Sequence, residues 1–425
     1  MSDLDLAIRF FFQLGVILVV CRAVSWVGKF LGQTQVVCEM LAGVFLGPSL
    51  LGLIAPQMQT ALFPKQVTVG GEVINHPSMS ILYVISQLGL VLYMFVVGLE
   101  FDHHFLKHRG KSALMVSMSG ILAPVVIGGV LGLVLHRSTE SFTAGVSPWS
   151  GAFFVGAAMS ITAFPMLARI ISETGMSKTS MGSLALGAAA FDDAVAWCLL
   201  AVVLTTTKGD PGFVIKAIGG GMLFAVLTMT VGAKLLTRLE EWYERERELS
   251  NGLMITVMGL LLASAWVTDS LGIYAVFGAF IFGAAMPQGK LAEELDHRIK
   301  MLVSNLLLPL FFVYSGLNTK ISLVNTPFLV LMTFLIIVVA ILAKGLACTL
   351  AARAAGELWP DAAKIGTLMN ARGLIELIIL NIGLQRGVIT PTLFTMMVIM
   401  AIVTTLMASP LFMYLQRRYP TPNSA

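Results

Sequence analysis

The sequence predicts an all-α polytopic membrane protein with about thirteen transmembrane helices. Hydrophobic residues make up 57% of the 425 positions, and charged residues only 12%, about half the usual share in soluble domains. The apolar residues also run in long, continuous stretches, as membrane helices of about 20 residues require, and do not alternate as barrel strands would. These observations argue against a soluble enzyme, a disordered protein and a nucleic-acid binder.

Thirteen apolar segments are long enough to be counted as spans. Asp3 and Asp5 precede the first one, which is too long for the apolar region of a cleavable signal peptide and is interpreted as a span. The segments fill most of the chain, so no soluble regulatory domain is predicted. In chain order, spans 1 to 13 are 6–28, 33–54, 79–99, 112–135, 148–172, 179–206, 211–236, 251–267, 271–287, 301–317, 327–352, 362–385 and 390–415.

The basic residues predict how the chain is oriented. Most Lys and Arg residues outside the spans lie in the odd-numbered connections or after the last span, for example Lys107, Arg109, Arg245, Arg298 and Arg417. Basic residues are retained on the cytoplasmic side. We therefore expect a multi-pass protein of the inner (plasma) membrane, with the N-terminus outside and the C-terminus in the cytoplasm.

The two halves of the chain resemble each other. Similar segments recur seven spans apart, and an odd offset turns the second copy upside down in the membrane. We therefore interpret spans 1–6 and 8–13 as inverted-topology repeats joined by span 7. This architecture is typical of secondary transporters. The matching pairs are GVFLGP (43–48) with GAFIFG (278–283), GLVLYMFVVGLEFD (89–102) with LLPLFFVYSGLNTK (307–320), and MSITAF (159–164) with MNARGL (369–374).

One repeat-related pair of spans, 5 and 12, carries helix-breaking residues at mid-depth. In span 5, Ser160 and Thr162 precede Pro165, which removes a helical hydrogen bond. In span 12, Asn370 lies close to Gly373. Broken backbone is tolerated in a bilayer where it lines a cavity, and the two hydroxyls could serve freed backbone groups or a cation. We expect two crossed, discontinuous helices here.

Five ionisable residues are predicted to lie deep in the spans: Asp192, Asp193, Lys344, Arg372 and Glu376. Each central charge costs about 2.5–3.5 kcal/mol on insertion scales. Residues that bear such a cost face the bundle interior, find partners and mark ion paths.

The adjacent aspartates suggest an ion site. Neighbouring helical residues point about 100° apart, so one carboxylate can face a cavity while the other faces a partner helix. Close carboxylates also favour proton binding by one of them. Such a site holds either a proton or a small alkali cation, and Lys344 is the natural counter-charge of one aspartate. Arg372 and Glu376 are four residues apart, which predicts a local pair on one helix.

The residues resemble those of the monovalent cation:proton antiporter-2 family, in particular the plant cation/H⁺ exchangers and their bacterial relatives, with a membrane domain like those of NapA and Kef. The resemblance covers essentially the whole chain. It is carried by VVCEMLAGVFLGPSLLG (36–52), SITAFPMLARII (160–171), FDDAVAWCLLA (191–201), PLFFVYSGL (309–317) and NARGLIELIILNIG (370–383).

This resemblance implies a homodimer with the antiporter fold of NhaA and NapA, in which a core domain moves past a dimer domain in elevator-like alternating access. The core would comprise about 112–206 and 327–415, the dimer domain about 6–99 and 251–317, and the linker helix about 211–236. The plant and potassium-efflux relatives also carry a cytosolic C-terminal domain, and gating through such a domain is not expected here.

The resemblance also implies roles for individual residues. Asp193 would be the carboxylate that binds Na⁺ or K⁺ and the proton, and Asp192 would pair with Lys344 when the site is protonated or empty. Thr162 and Ser160 would lend oxygens from the broken helix. The plant branch usually has Asn where this chain has Asp192, whereas paired aspartates resemble the electrogenic antiporters.

The sequence thus predicts exchange of Na⁺ and/or K⁺ for H⁺, with these ions, the lipid bilayer and a second copy as its partners. No nucleic acid and no cofactor are expected. Asn370, Arg372 and Glu376 are expected to stabilise the crossed helices. The alternatives are a cation-coupled symporter of a small anion, in which Arg372 would bind the anion, and a cation channel. No set of residues suggests an enzyme.

Overall fold

The computed structural model describes the chain except for a few short stretches. The residues outside it are 1–2, 31–32, 34, 65, 70–71, 101–103, 139, 165–166, 168–169, 172–173, 175, 177–178, 207–210, 273–274 and 421–425. Inside the helices and strands, the side chains of 36, 66–69, 72–75, 104–109, 138, 190, 193–194, 197–198, 200–206, 211–218 and 374–375 lie outside it as well.

Helices account for nearly all of the regular structure. They are α1 (Asp3–Phe30), α2 (Gln35–Leu46), α3 (Leu51–Ile54), α4 (Pro56–Leu62), α5 (Pro77–Leu99), α6 (His104–Ser138), α7 (Pro148–Ser160), α8 (Ser180–Thr206), α9 (Pro211–Leu227), α10 (Ala233–Glu246), α11 (Asn251–Ser270), α12 (Ala275–Ala285), α13 (Lys290–Leu302), α14 (Leu308–Leu317), α15 (Pro327–Ile341), α16 (Ala347–Ala354), α17 (Trp359–Met369), α18 (Leu374–Gln385) and α19 (Pro391–Arg418). Single π-helical turns join α9 to α10, α13 to α14 and α15 to α16.

The predicted all-α membrane fold is confirmed. Within the described residues, nine helices are long and apolar enough to cross a bilayer, while other predicted spans are short or interrupted, so the count of thirteen stays a prediction. The sequence interpretation did not include a small antiparallel hairpin of β1 (Gln66–Val69) and β2 (Glu72–Asn75), in which Gln66 pairs with Asn75.

Several membrane helices begin in the same way, with a capping side chain followed by proline. A cap accepts a backbone N–H that has no partner inside the helix, and proline suits the first helical position because it needs no such partner. One of these caps is His76: burial lowers its pKa and the charge of Arg9 adds to the effect, which favours the neutral ring that can accept a hydrogen bond. The capping residues are His76, Ser147, Thr326 and Thr390.

A first compact unit comprises Met1–Leu18, Leu62–Asp102 and Leu204–Tyr314. In it, α5 and α12 cross at Gly98 and Gly283. A methyl group on Gly98 would collide with the Phe280 carbonyl oxygen, and one on Gly283 with the Phe95 carbonyl oxygen. Small residues of this kind let membrane helices approach closely enough to gain van der Waals contact.

A second compact unit comprises Val19–Ala61, His103–Val203 and Ser315–Ala425. Here Gly316, in the last turn of α14, lies directly against the backbone of Gly43 in α2. Just beyond this crossing, Ser49 donates a hydrogen bond to the Thr319 carbonyl at 2.6 Å and accepts one from the Ile321 amide at 3.0 Å. The same unit holds every described residue of the candidate site.

Candidate functional site

The first helix interruption follows α7. The helix ends at Ser160, Ile161 is extended with φ −78° and ψ 138°, and residues 161–163 are not helical. Pro165, which predicted the break, lies outside the described residues. The Ser160 hydroxyl donates to the Ala157 carbonyl at 2.7 Å, which satisfies one of the carbonyls that a helix end leaves free.

The second interruption separates α17 from α18 and covers residues 370–373. Thr405 of α19 stabilises it: its hydroxyl accepts the Arg372 amide at 3.1 Å and lies 2.8 Å from the Arg372 carbonyl oxygen. A neighbouring helix thus supplies bonds that the broken backbone has lost, as a membrane interior demands.

The two interruptions contact each other. The Ala163 amide donates to the Ala371 carbonyl at 2.9 Å, and both alanines belong to a buried cluster with Val37 and Ala408. Both predicted interruptions are therefore observed, and over the described residues the two breaks cross in direct contact.

Asp192, in α8, forms a buried ion pair beside this crossing. Its Oδ2 lies 2.8 Å from the Nζ of Lys344 and 2.5 Å from the Thr162 hydroxyl, and its Oδ1 accepts the Ser117 hydroxyl at 2.6 Å. The Asp192 carboxylate is therefore contacted from three separate parts of the chain, by Ser117, Thr162 and Lys344. Both side chains of the ion pair are fully shielded from solvent.

Lys344 lies in the π-helical turn Leu342–Leu346 that joins α15 to α16. Such turns widen a helix locally and are frequent at functional sites. Besides Asp192, its ammonium donates to the Gly120 carbonyl at 3.0 Å and to the Ser160 carbonyl. All three ammonium protons thus have acceptors, and one acceptor belongs to the last residue of α7, where a cation is favoured by the helix dipole.

Asp193 is the next residue of α8, but its side chain lies outside the described residues. Consecutive residues of an α-helix are about 100° apart around its axis. Its assignment as the ion-binding carboxylate stays a prediction. Among the described residues, no group of three or more His, Cys, Asp or Glu side chains could hold a metal ion.

Arg372 and Glu376 approach each other to 3.7 Å and are both fully buried. The sequence interpretation placed them on one helix, but α18 begins only at Leu374, so Arg372 belongs to the break. Its Nη1 donates to the Ala158 carbonyl at 3.5 Å, near the end of α7. Asn370 donates to the Gly366 carbonyl at 3.3 Å.

Besides Thr405, sequence reasoning missed two features. Ser117 bonds directly to Asp192, yet nothing in the sequence distinguishes it from other serines in apolar spans. Lys364 falls at the start of predicted span 12 and is not among the five charges expected at depth, yet it lies in α17 and is fully buried. Its ammonium donates to Asp361 at 3.0 Å and to the Tyr419 carbonyl at 2.5 Å.

Comparisons with known proteins agree with this architecture. The chain is 41% identical to the Na⁺/H⁺ antiporter NhaS4 of Synechocystis sp., with 92% of each chain covered. It is 36% identical to cation/H⁺ antiporter 17 of Arabidopsis thaliana, over 94% of this chain but only 47% of that protein, so it spans about half of this plant relative.

The solved structure of the sodium proton antiporter MjNhaP1 from Methanocaldococcus jannaschii matches with a TM-score of 0.65. The match covers 97% of each chain at 17% identity, which is a likeness of fold. Residues 3–414 match the family model described as sodium/hydrogen exchanger, transmembrane. The chain therefore belongs to the family of transmembrane sodium/hydrogen exchangers.

Proposed function

We propose that this protein is a secondary active antiporter that exchanges Na⁺ or K⁺ for protons. The observation that carries the proposal is the fully buried pair of Asp192 and Lys344 at the crossing of two interrupted helices. Buried charges in membrane helices mark ion paths and proton relays. The relatives described above are named as antiporters, which favours exchange over the symporter and channel alternatives.

Charge balance explains how one site can serve both ions. Asp192 and Asp193 together carry two negative charges when ionised, and Lys344 compensates one of them. The remaining charge is neutralised by one alkali cation or by one proton. Because the two ions compete for the same carboxylate, release of one accompanies binding of the other, and exchange follows without further machinery.

The predicted ligands would act in distinct ways. Asp193 would bind the ion, while Asp192 holds Lys344 as its partner in the empty or protonated state. Thr162 and Ser160 border the break of the first interrupted helix, where oxygen atoms become available to a cation. The Ser160 hydroxyl forms its hydrogen bond within α7. The oxygen that Ser160 would lend is therefore its carbonyl, which now accepts a hydrogen bond from Lys344 and would be released by Lys344.

The internal symmetry supports the proposed inverted repeats. Gly316 of predicted span 10 packs on Gly43 of span 2, and in the other unit Gly98 of span 3 packs on Gly283 of span 9. An offset of seven spans relates span 2 to span 9 and span 3 to span 10. The contact between spans 2 and 10 therefore has the contact between spans 9 and 3 as its repeat-related counterpart. Repeats of this kind accompany alternating access.

The proposed movement is that of an elevator in a homodimer, with the core and dimer domains bounded as predicted from the sequence. The protein would lie in the plasma membrane with its N-terminus outside. Exposed apolar side chains along α1, such as Phe11, Phe12 and Trp26, suit contact with lipid or with a second copy.

The test is exchange in vesicles. The purified protein is reconstituted into liposomes that contain a pH dye, a proton gradient is imposed, and Na⁺ or K⁺ is added outside. We expect the cation to dissipate the gradient. Absence of a dye response to every alkali cation would contradict antiport.

A variant addresses the ion-binding residue. Asp193→Ala should abolish exchange while the protein remains folded, because the uncompensated charge of the site is lost. Asp269→Ala is the matched control, since Asp269 is an exposed carboxylate near the end of α11 and its loss should leave exchange unchanged. Normal exchange by Asp193→Ala would remove this residue from the site.

A further inference from the structure

The pair of Arg372 and Glu376 lacks partners that buried charges need. Among the described residues, neither Glu376 carboxylate oxygen accepts a hydrogen bond, and the Nε and Nη2 of Arg372 donate none. The Oδ1 of Asn370, also buried, accepts none. An ionised carboxylate in this position bears a desolvation cost that a single contact of 3.7 Å does not offset.

The charged surroundings of Glu376 are simple. Its helix, α18, packs against α7 and α19. Helix α7 contains no ionisable residue, and the ionisable residues of α19, which are Tyr414, Arg417 and Arg418, all lie near its C-terminal end. Among the described residues, Arg372 and, at longer range, Lys344 are the charges that act most on Glu376.

Both of these cations are anchored at the same end of α7. Arg372 binds the Ala158 carbonyl, and Lys344 binds the Ser160 carbonyl two residues later. The charge that Arg372 presents to this region depends on whether Glu376 is ionised. When Glu376 is neutral, the guanidinium charge is uncompensated and opposes any cation that approaches Asp192.

We propose that Glu376 is a second proton-binding site, separate from the aspartates, whose protonation weakens binding of the transported cation. The proton comes from water that reaches the unsatisfied atoms of Asn370, Arg372 and Glu376, and it adds to a carboxylate oxygen to form the neutral acid. It returns to water when a cation binds. This inference rests on the proposed cation/proton exchange and adds a second proton that competes with the cation at a distance.

The test compares the pH dependence of the apparent cation affinity in the parent protein and in Glu376→Gln. If one proton competes, the KM for Na⁺ or K⁺ rises at most about tenfold per pH unit of acidification, and it rises more steeply if two compete. We expect the steeper dependence in the parent. Glu376→Gln should show a dependence of at most about tenfold and a raised KM at alkaline pH, and Glu376→Asp should restore the steeper dependence. Equal dependence in the parent and Glu376→Gln would overturn the proposal.

A double variant, Arg372→Gln with Glu376→Gln, serves if the single variant does not fold, because it removes both charges together. It should retain the dependence of a single competing proton, with a KM near that of the parent at alkaline pH. The parental, steeper dependence in this variant would equally refute the role of Glu376.

A measurement without transport separates this proposal from the exchange function. Infrared difference spectra of the parent on acidification should contain the carbonyl stretch of a buried carboxylic acid that Glu376→Gln lacks. Identical spectra would exclude proton binding by Glu376, even in a protein that exchanges ions. A parent that shows the band but no exchange would contradict the antiport function and leave the proton site standing.

Discussion

The two buried ion pairs beside the helix crossing differ in how completely they are bonded. Asp192 and Lys344 lie 2.8 Å apart, and each carboxylate oxygen and each ammonium proton has a partner. Arg372 and Glu376 lie 3.7 Å apart, with several of their polar atoms unsatisfied among the described residues. Burial is the same in both cases, so burial alone does not decide how strongly a pair is held.

The difference follows from where the partners come from. Asp192 and Lys344 belong to separate helices, and the π-helical turn around Lys344 lets its ammonium meet several carbonyls at once. Arg372 is tied to Glu376 through only three intervening residues, one of which starts α18. The short connection fixes the distance between them. A long-range pair can be optimised by packing, whereas this local pair is limited by the backbone.

The largest effect is expected from breaking the well-bonded pair. Lys344→Met leaves Asp192 as an uncompensated buried charge, which should lower the free energy of unfolding by about 3–5 kcal/mol. Arg372→Met should cost less, because the loose pair contributes less and Glu376 can become neutral. Denaturation of the purified variants in mixed micelles of detergent and sodium dodecyl sulfate measures both. A larger loss of stability in Arg372→Met than in Lys344→Met would contradict the conclusion that Asp192 and Lys344 form the more strongly held pair.

The sequence identified the residues of both ion pairs but did not predict which pair is bonded more completely. Charged residues are so few that Asp192, Lys344, Arg372 and Glu376 stand out in apolar spans. The sequence also predicted both helix interruptions, because Pro165 and the polar run that begins at Asn370 are unfavourable inside an apolar helix. Distances between helices leave no trace in the local sequence.

Sequence reasoning missed Ser117 and Thr405 for the same physical reason. Ser117 contributes through a contact 75 positions away in the chain, and serine in a membrane helix often bonds only to its own backbone. Thr405 similarly holds a break 33 positions away. Their roles depend on tertiary proximity, which no spacing rule predicts.

A second prediction concerns Ser117, whose hydroxyl donates a hydrogen bond to Asp192 of the well-bonded pair. Ser117→Ala removes a hydrogen bond to a charged acceptor and should lower the free energy of unfolding by about 2 kcal/mol. It should also change the pH profile of exchange, because the side chain that pairs with Lys344 is no longer held in place by Ser117. The profile is read from proteoliposome assays.

Ser86→Ala is the matched control for this change. Ser86 is also fully buried, but its hydroxyl donates to the Tyr83 carbonyl of its own helix at 2.7 Å. It should change stability little and leave the pH profile in place. Equal pH profiles for Ser117→Ala and the parent would show that Ser117 contributes packing alone.

The smallest effect is expected at the backbone of the second break. Thr405→Val keeps the shape of the side chain but removes the hydroxyl that accepts the Arg372 amide at 3.1 Å, and should lower the free energy of unfolding by about 1 kcal/mol. Its neighbour provides the control: among the described residues, the Thr404 hydroxyl bonds only to the Met400 and Ala401 carbonyls of its own helix, so Thr404→Val should be nearly neutral. Denaturation of the two variants side by side measures the difference. If both lose the same stability, Thr405 does not hold the break, and the local bonding of Arg372 must be assigned to the crossing with α7 instead.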